Sequence, residues 1–238
     1  MCCSNNSTLK SNKKNGELIN LDLNNDFGYL TKSEGITILD KIKMSEKTDK
    51  GWDIIKENDT IGKYFKSKET GNYIICLIDV QNKIEFETHV LIELKHIEKK
   101  LFNVVAKERY SHGNYTCCWS NNFSGFNQME NYFTFDYCGT GSEFCGSRTY
   151  YFKNVLPQDK LKNIPDNYSS SDGTSITTLT STKHIKNDIL TYNYRNENFE
   201  IIGEDNMVTK SVDTFSIVYK LKNNIWVCDD EKLERLQY

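Results

Sequence analysis

Strand-length segments separated by turn residues recur along the chain, and this pattern constrains the fold more than any other feature. Residues 73–80 form a near-continuous apolar run, and residues 84–90 alternate apolar with polar side chains, as a strand with one buried face does. Similar segments follow at residues 101–106, 132–137, 149–152, 189–194, 199–203, 214–221 and 225–228. We therefore predict a mainly β fold, an antiparallel meander or sandwich of hairpins with one or two short helices.

Signals for helices and turns complete this prediction. Thr31 and Glu34 have the spacing of a capping box, which predicts a short helix that ends near Met44. Residues 229–236 predict a second short helix that is capped by its two leading aspartates. The two segments at residues 189–203 flank a polar stretch and are predicted to form a hairpin.

The domain organisation follows from composition along the chain. We assign residues 1–20 to a flexible polar tether and residues 21–238 to a single β-rich domain. Residues 154–173 hold both prolines and a Ser/Asp/Gly run, so they are predicted to be a loop. The alternative organisation has two subdomains that divide near this loop.

Charge and hydropathy narrow the classes of partner. The net charge is -3 with both signs interspersed, and no basic block is present to follow a phosphate backbone, so nucleic acid is not the expected partner. No apolar run approaches the roughly 20 residues that a spanning helix needs. Contact with a membrane is therefore expected only through an attached lipid.

The first residues indicate such a lipid. Cys2 and Cys3 precede a polar Ser/Asn/Lys stretch, which is typical of the start of a mature bacterial lipoprotein, with a lipidated Cys and a flexible tether. We therefore predict a lipid anchor at Cys2 or Cys3 and a location in the cell envelope, in the periplasm or at the outer surface. The alternative is a cytoplasmic protein that happens to begin with two cysteines.

Eight cysteines are many for a cytosolic chain of this length. Cys117, Cys118, Cys138 and Cys145 cluster in the middle of the chain, and the last two bracket a Gly-rich turn that can bring two sulfurs together. We predict at least one disulfide within this set, with three connectivities possible. A zinc site fits the spacing less well because structural zinc sites repeat pairs of nearby cysteines. Buried free thiols are the remaining alternative.

Oxygen side chains alternate at Asp22, Asn24 and Asp26, the spacing that calcium loops use. However, Gly28 comes one position late, and Ser33 stands where such a loop has its bidentate Glu. A turn is the favoured interpretation, so no metal and no cofactor is predicted, and a calcium-binding loop stays the alternative.

Three pieces of the chain, residues 22–28, 138–146 and 189–205, carry a loose family resemblance over about half of its length. Together they resemble uncharacterised exported bacterial β-rich proteins, predicted lipoproteins, some of which carry an Asp/Asn motif similar to that of integrin-type repeats. The resemblance implies a β-rich fold and an exported location, and it implies no activity.

Compact catalytic motifs are absent from the sequence: no nucleophile elbow, no His-Glu-x-x-His, no phosphate loop and no dinucleotide fingerprint occurs. His112 lies close to Cys117 and Cys118, so a thiolate nucleophile is conceivable there. A turn histidine beside a disulfide is the favoured interpretation, and no catalytic residue is predicted.

Aromatic side chains interleaved with Asn, Ser and Gly have the composition of a recognition loop. The candidate binding residues are Tyr110, Tyr115, Trp119, Phe123 and Phe126. The same side chains could instead cover the core. We predict a non-catalytic envelope protein that binds another protein, such as a toxin-neutralising immunity protein or an inhibitor. The alternatives are a hydrolase with a dispersed active site and a calcium- or glycan-binding module.

Overall fold

The computed structural model describes residues 17–44, 56–79, 88–111, 125–141, 144–202 and 206–236. These residues form two antiparallel sheets and one α-helix, α1 (Lys32–Lys41). The first sheet contains β1 (Leu18–Asn20), β2 (Phe27–Thr31), β3 (Thr60–Lys66), β4 (Tyr73–Asp79), β5 (Thr88–Glu98) and β6 (Leu101–Ser111). Its strand order is β1-β6-β5-β4-β3-β2.

The second sheet is an eight-stranded meander in which every strand pairs with its neighbours along the chain. It contains β7 (Phe126–Met129), β8 (Tyr132–Gly141), β9 (Phe144–Phe152), β10 (Asn163–Ser171), β11 (Ser175–Lys186), β12 (Ile189–Ile201), β13 (Met207–Lys222) and β14 (Ile225–Val227). Two 3₁₀ helices, Gln158–Lys160 and Glu231–Leu236, complete the described elements. The prediction of a mainly β, antiparallel fold is confirmed.

The helix α1 begins where the capping box predicts. The Glu34 carboxylate accepts hydrogen bonds from the backbone N–H and the hydroxyl of Thr31, and the Thr31 hydroxyl accepts one from the backbone N–H of Glu34. Ile38 and Leu39 then face the first sheet and are fully buried against its strands. The cap fixes the start of the helix, and burial of one apolar face holds it on the sheet.

The two sheets pack face to face through a second core. Ile74 and Leu91 of the first sheet meet Phe133 and Phe152 of the second in one buried cluster. Glu93 is buried there too, and its carboxylate accepts hydrogen bonds from the backbone N–H of Val155 at 3.1 Å and from the amide of Asn72 at 2.7 Å. The buried carboxyl group is therefore satisfied by one group from the segment before β4 and one from the segment after β9.

The second sheet rolls up on itself. Six strand steps separate β8 from β14 in the sheet order, which would span roughly 29 Å in a flat sheet. Yet the rings of Tyr132 on β8 and Trp226 on β14 have centroids only 5.2 Å apart. The indole N–H of Trp226 also donates to the backbone oxygen of Tyr151 on β9 at 3.2 Å. The roll encloses a third core, rich in tyrosine, that includes Tyr192 and Tyr219.

Three sequence predictions are wrong. Residues 18–20, which were assigned to the flexible tether, form β1, which pairs with β6. The stretch that was predicted as a loop, residues 154–173, contains β10, which pairs with β9 and β11 inside the second sheet. The predicted hairpin at residues 189–203 is instead one continuous strand, β12.

The change from one sheet to the other falls between β6 and β7. None of the helices in the described ranges is both long and apolar enough to cross a membrane.

Candidate functional site

Two of the five predicted binding aromatics belong to the core. Tyr110 and Phe126 are fully buried between the two sheets, and the Tyr110 hydroxyl donates to the backbone oxygen of Leu156 at 2.8 Å. These two side chains offer no surface to a partner, so their assignment as binding residues is corrected. The other three, Tyr115, Trp119 and Phe123, lie outside the described residues.

The predicted cysteine cluster is described only in part. Cys138 on β8 pairs with Ser147, and Cys145 on β9 pairs with Thr140, so the two cysteines lie two positions apart on neighbouring strands. Cys145 is disulfide-bonded, but its partner is not among the described side chains. Cys117, Cys118, and the predicted anchor residues Cys2 and Cys3, lie outside the described residues. The connectivity and the lipid anchor therefore stay predictions.

The candidate calcium loop is held by lysines. The carboxylate of Asp22 pairs with Lys100, and that of Asp26 lies 3.2 Å from the Lys66 ammonium group. The hydrogen bond from Lys100 lowers the pKa of Asp22. Over the described ranges, no group of three or more His, Cys, Asp and Glu side chains is placed to hold a metal ion.

A cluster of polar side chains lies inside the rolled sheet, and the sequence did not single it out. We call it the interior polar cluster: Asp136 on β8, Thr149 on β9, Asp166 on β10, and Ser181 and Lys183 on β11. The Thr149 hydroxyl donates to Asp136 at 2.8 Å, and the Lys183 ammonium group donates to Asp166 at 2.7 Å. The Ser181 hydroxyl donates to the other oxygen of Asp166 at 2.7 Å. The Lys183 ammonium group also donates to the Thr149 hydroxyl at 3.2 Å, so the cluster joins four consecutive strands.

A β-bulge places Asp166 in this cluster. The pairing of β10 with β9 shifts by one residue between Pro165 and Asn167, so Asp166 is the extra residue. A bulge redirects side chains and increases the local twist, which suits a sheet that rolls up. Pro165 lies at the same irregularity, where a strand tolerates a residue with no backbone N–H.

The two carboxylates of the cluster have different environments. Burial raises the pKa of Asp136, and the nearby charge of Asp166 adds to this effect, while Lys183 and the Thr149 hydrogen bond oppose it. Asp166 instead contacts the Lys183 ammonium group directly, and the two side chains are 13% and 23% exposed. Because each carboxylate already accepts hydrogen bonds from neighbouring strands, the arrangement stabilises the roll.

Replacing Asp136 with Asn is expected to stabilise the protein at neutral pH, by roughly 1 kcal/mol, because the buried charge is removed and the acceptor for Thr149 is kept. The raised pKa of Asp136 means that the folded state binds this proton more tightly than the unfolded chain does. The contribution of Asp136 to the stability of the wild type is therefore fully present at a pH below the ordinary pKa of Asp and is lost as the pH rises through the raised pKa. The variant has no carboxyl group at this position and has no such loss.

Urea unfolding of the wild type and of Asp136→Asn at pH 3 and pH 7 tests this expectation. The advantage of the variant is expected to appear at pH 7 and to shrink at pH 3. A variant that is less stable than the wild type at pH 7 would show that the charged form of Asp136 is favoured in the fold.

Exposed apolar side chains mark a different region, the strand β13. Met207, Val208, Val212 and Val218 are all more than two-fifths exposed, although aliphatic strand residues are usually half-buried. β12 lies on one side of β13. On the other side, β14 pairs with residues 220–222, and no other strand of the described residues pairs there. We call residues 212–218 on this side the β13 edge.

Comparisons with protein-family models, with curated proteins and with solved structures find no match to this chain.

Proposed function

We propose that this is a non-catalytic protein of the cell envelope that binds another protein through the β13 edge, in the manner of an immunity protein or an inhibitor. The observation that carries the proposal is the exposure of apolar side chains along a strand edge. Long edge strands with exposed apolar residues promote association, so proteins cover or blunt them unless they serve to bind.

The chemistry of the described interior supports binding rather than catalysis. Asp136, Asp166 and Lys183 satisfy one another through the polar groups of neighbouring strands. Glu93 is likewise occupied by the backbone of Val155 and the amide of Asn72. These buried carboxylates are occupied by hydrogen bonds that stabilise the fold. The proposed contact with the partner is therefore placed on the surface.

The proposed envelope location has separate support. A disulfide at Cys145 forms and persists in an oxidising compartment such as the periplasm or the cell exterior. A lipid on Cys2 or Cys3 would hold the domain at the membrane through a polar tether. Metabolic labelling with an alkyne fatty acid, compared between the wild type and the Cys2→Ser and Cys3→Ser variants, tests this part of the proposal.

Replacing Val212 with Asn is expected to weaken partner binding about fivefold or more, the loss that follows when an anchor worth about 1 kcal/mol is removed. Val212 is 45% exposed, so the fold does not depend on it. Val105 on β6 is 50% exposed and belongs to the other sheet, so Val105→Asn is the matched control.

The measurement uses the full chain, immobilised, with a solubilised envelope extract of the organism that encodes it. The wild type and Val105→Asn are expected to retain one protein in near-stoichiometric amount, and Val212→Asn is expected to retain much less. Equal retention by all three proteins, or retention of nothing specific, would contradict the proposed function.

A further inference from the structure

The β13 edge lies next to a place where a strand is already bound. β13 pairs with β12 along nearly its whole length, and on its other side β14 pairs only with residues 220–222. The chain then forms the 3₁₀ helix Glu231–Leu236, which stays beside β13, since the ammonium group of its Lys232 donates to the backbone oxygen of Ser216. Among the described residues, the same side of the strand therefore pairs with an antiparallel neighbour at one end, and no strand pairs with it at residues 212–218.

Two hydrogen bonds identify the backbone groups that point to the open side. The backbone N–H of Leu221 donates to the backbone oxygen of Asp188 at 3.1 Å, so the backbone groups of Leu221 point towards β12. The backbone oxygen of Ser216 accepts from the Lys232 ammonium group at 3.4 Å, on the opposite side. The N–H and C=O groups of successive residues point to alternate sides of a strand. The backbone groups of the even-numbered residues of β13 therefore point away from β12. The outward set is Val212, Thr214, Ser216 and Val218.

We propose that the β13 edge binds its partner by accepting an extended, carboxylate-bearing strand of that protein. This inference rests on the proposed function and adds the mode of binding and the chemistry of the bound segment. Four outward residues present regularly spaced N–H and C=O groups, and an added strand satisfies such a row completely. The exposed side chains of Val212 and Val218 on the same residues would pack against alternate side chains of the added strand.

The charges around the edge indicate an acidic segment. Lys220 and Lys222 follow the open part of β13 and Lys232 reaches over it, whereas Asp213 is the acidic residue of the strand. Lys210, which precedes the open part, is already paired with Glu200, and Lys232 lies 4.0 Å from the carboxylate of Asp230. Lys232 occupies the Ser216 oxygen only through a long hydrogen bond. A backbone N–H of the partner would displace it, and the released ammonium group could then pair with a carboxylate of the added strand.

A second copy of this chain fits the edge less well. In an antiparallel pair of identical strands, the two-fold register that uses all of residues 212–218 places Val212 opposite Val218 of the other copy. The same register places Lys210 opposite Lys220, and like charges directly opposite each other are destabilising. The Lys210 position is also a bulge in β13, which ends the regular edge on that side.

A random library of seven-residue peptides displayed on phage, selected against the full chain, tests this inference. Recognition through the backbone tolerates many sequences, so enrichment is expected. The enriched peptides are expected to alternate β-branched or aromatic residues and to contain Asp or Glu. Failure to enrich any peptide, or enrichment of basic peptides, would overturn the inference.

Thr214 provides the decisive pair of variants, measured with the most enriched peptide after synthesis. Thr214→Pro removes an outward N–H that makes no bond to β12, so the sheet is expected to stay folded, as a thermal unfolding curve would verify. Thr214→Ala removes the side chain and keeps the N–H. Affinity is expected to fall tenfold or more for Thr214→Pro and to change less than threefold for Thr214→Ala. Equal affinities for the two variants would overturn strand addition.

Hydrogen exchange separates the failure of this inference from the failure of the proposed function. Bound peptide is expected to slow exchange of the amides of Val212, Thr214, Ser216 and Val218 and to leave the neighbouring residues unchanged. If these amides do not slow but Val212→Asn still weakens capture of the partner, the partner binds through side chains and only strand addition fails. If Val212→Asn has no effect either, the proposed function fails as well.

Discussion

Truncating Trp226 to Ala is expected to lower the free energy of unfolding by about 3–5 kcal/mol, the cost of removing a large aromatic side chain from a packed core. Trp226 is 2% exposed and lies where β14 meets the first strands of the rolled sheet. Its ring contacts those of Tyr132 and Tyr151, and its N–H donates to the Tyr151 backbone oxygen. Removing it leaves a cavity at the point where the roll closes.

The matched control is Trp226→Phe, which keeps an aromatic ring in the site and removes only the indole N–H. We expect it to cost about 1–2 kcal/mol, because one buried backbone oxygen loses its donor and a smaller ring fills the space less well. Urea unfolding, followed by circular dichroism, measures both variants. A loss below 1 kcal/mol for Trp226→Ala would show that β14 does not close the roll.

Local patterns in the sequence predict much of this fold. The capping box at Thr31 predicts where α1 begins, and alternation of apolar and polar residues predicts strands in both sheets. The hairpin of β13 and β14 is also correct, since Asn223 and Asn224 adopt the positive φ values of 52° and 63° that a tight two-residue turn requires. Each of these features depends on residues that are neighbours in the chain.

The errors come from strands whose stability is not local. The middle of β12, from Arg195 to Asn198, is polar and looks like a turn, but it pairs with β11 on one side and β13 on the other. β10 contains Pro165 and a row of serines, and it is likewise paired on both sides. Hydrogen bonding by two neighbours outweighs weak strand propensity, and a single sequence does not show which neighbours will be present.

The candidate sites show the same limit. Tyr110 and Phe126 have the composition of a recognition loop, yet both lie in the core between the sheets. Asp136 is an acidic residue in the middle of an aromatic strand, which the sequence shows. Its neighbours Asp166 and Lys183 come from β10 and β11, so the sequence does not show that the three side chains meet. The exposed apolar residues of β13 could not be distinguished from core residues, because exposure depends on which strand lies beside them.

Replacing Lys183 with Met is expected to destabilise the protein by about 2–4 kcal/mol at pH 7, because breaking a buried ion pair leaves the remaining charge without compensation. The Asp166 carboxylate would keep its bond from Ser181 and lose the ammonium group at 2.7 Å. Asp136 would also lose the charge that opposes the rise in its pKa. Two carboxylates that approach the same Thr149 hydroxyl, at 2.8 and 3.5 Å, would then repel each other.

The pH dependence and a double variant distinguish this explanation from simple loss of packing. Without Lys183, which opposes the rise, the pKa of Asp136 in the folded state should rise further, so Asp136 binds its proton more tightly in the folded than in the unfolded state. The stability deficit of Lys183→Met should therefore be small near pH 3 and grow as the pH rises to 7.

The double variant Lys183→Met with Asp166→Leu removes both charges and keeps a similar volume, so it is expected to recover at least about 1 kcal/mol relative to Lys183→Met alone. Urea unfolding of the wild type, the two single variants and the double variant at both pH values completes the cycle. A deficit that does not change with pH, together with a double variant less stable than Lys183→Met, would show that the ion pair with Asp166 matters less than other contacts of Lys183, such as that of its ammonium group, 5.9 Å from the centre of the Tyr192 ring.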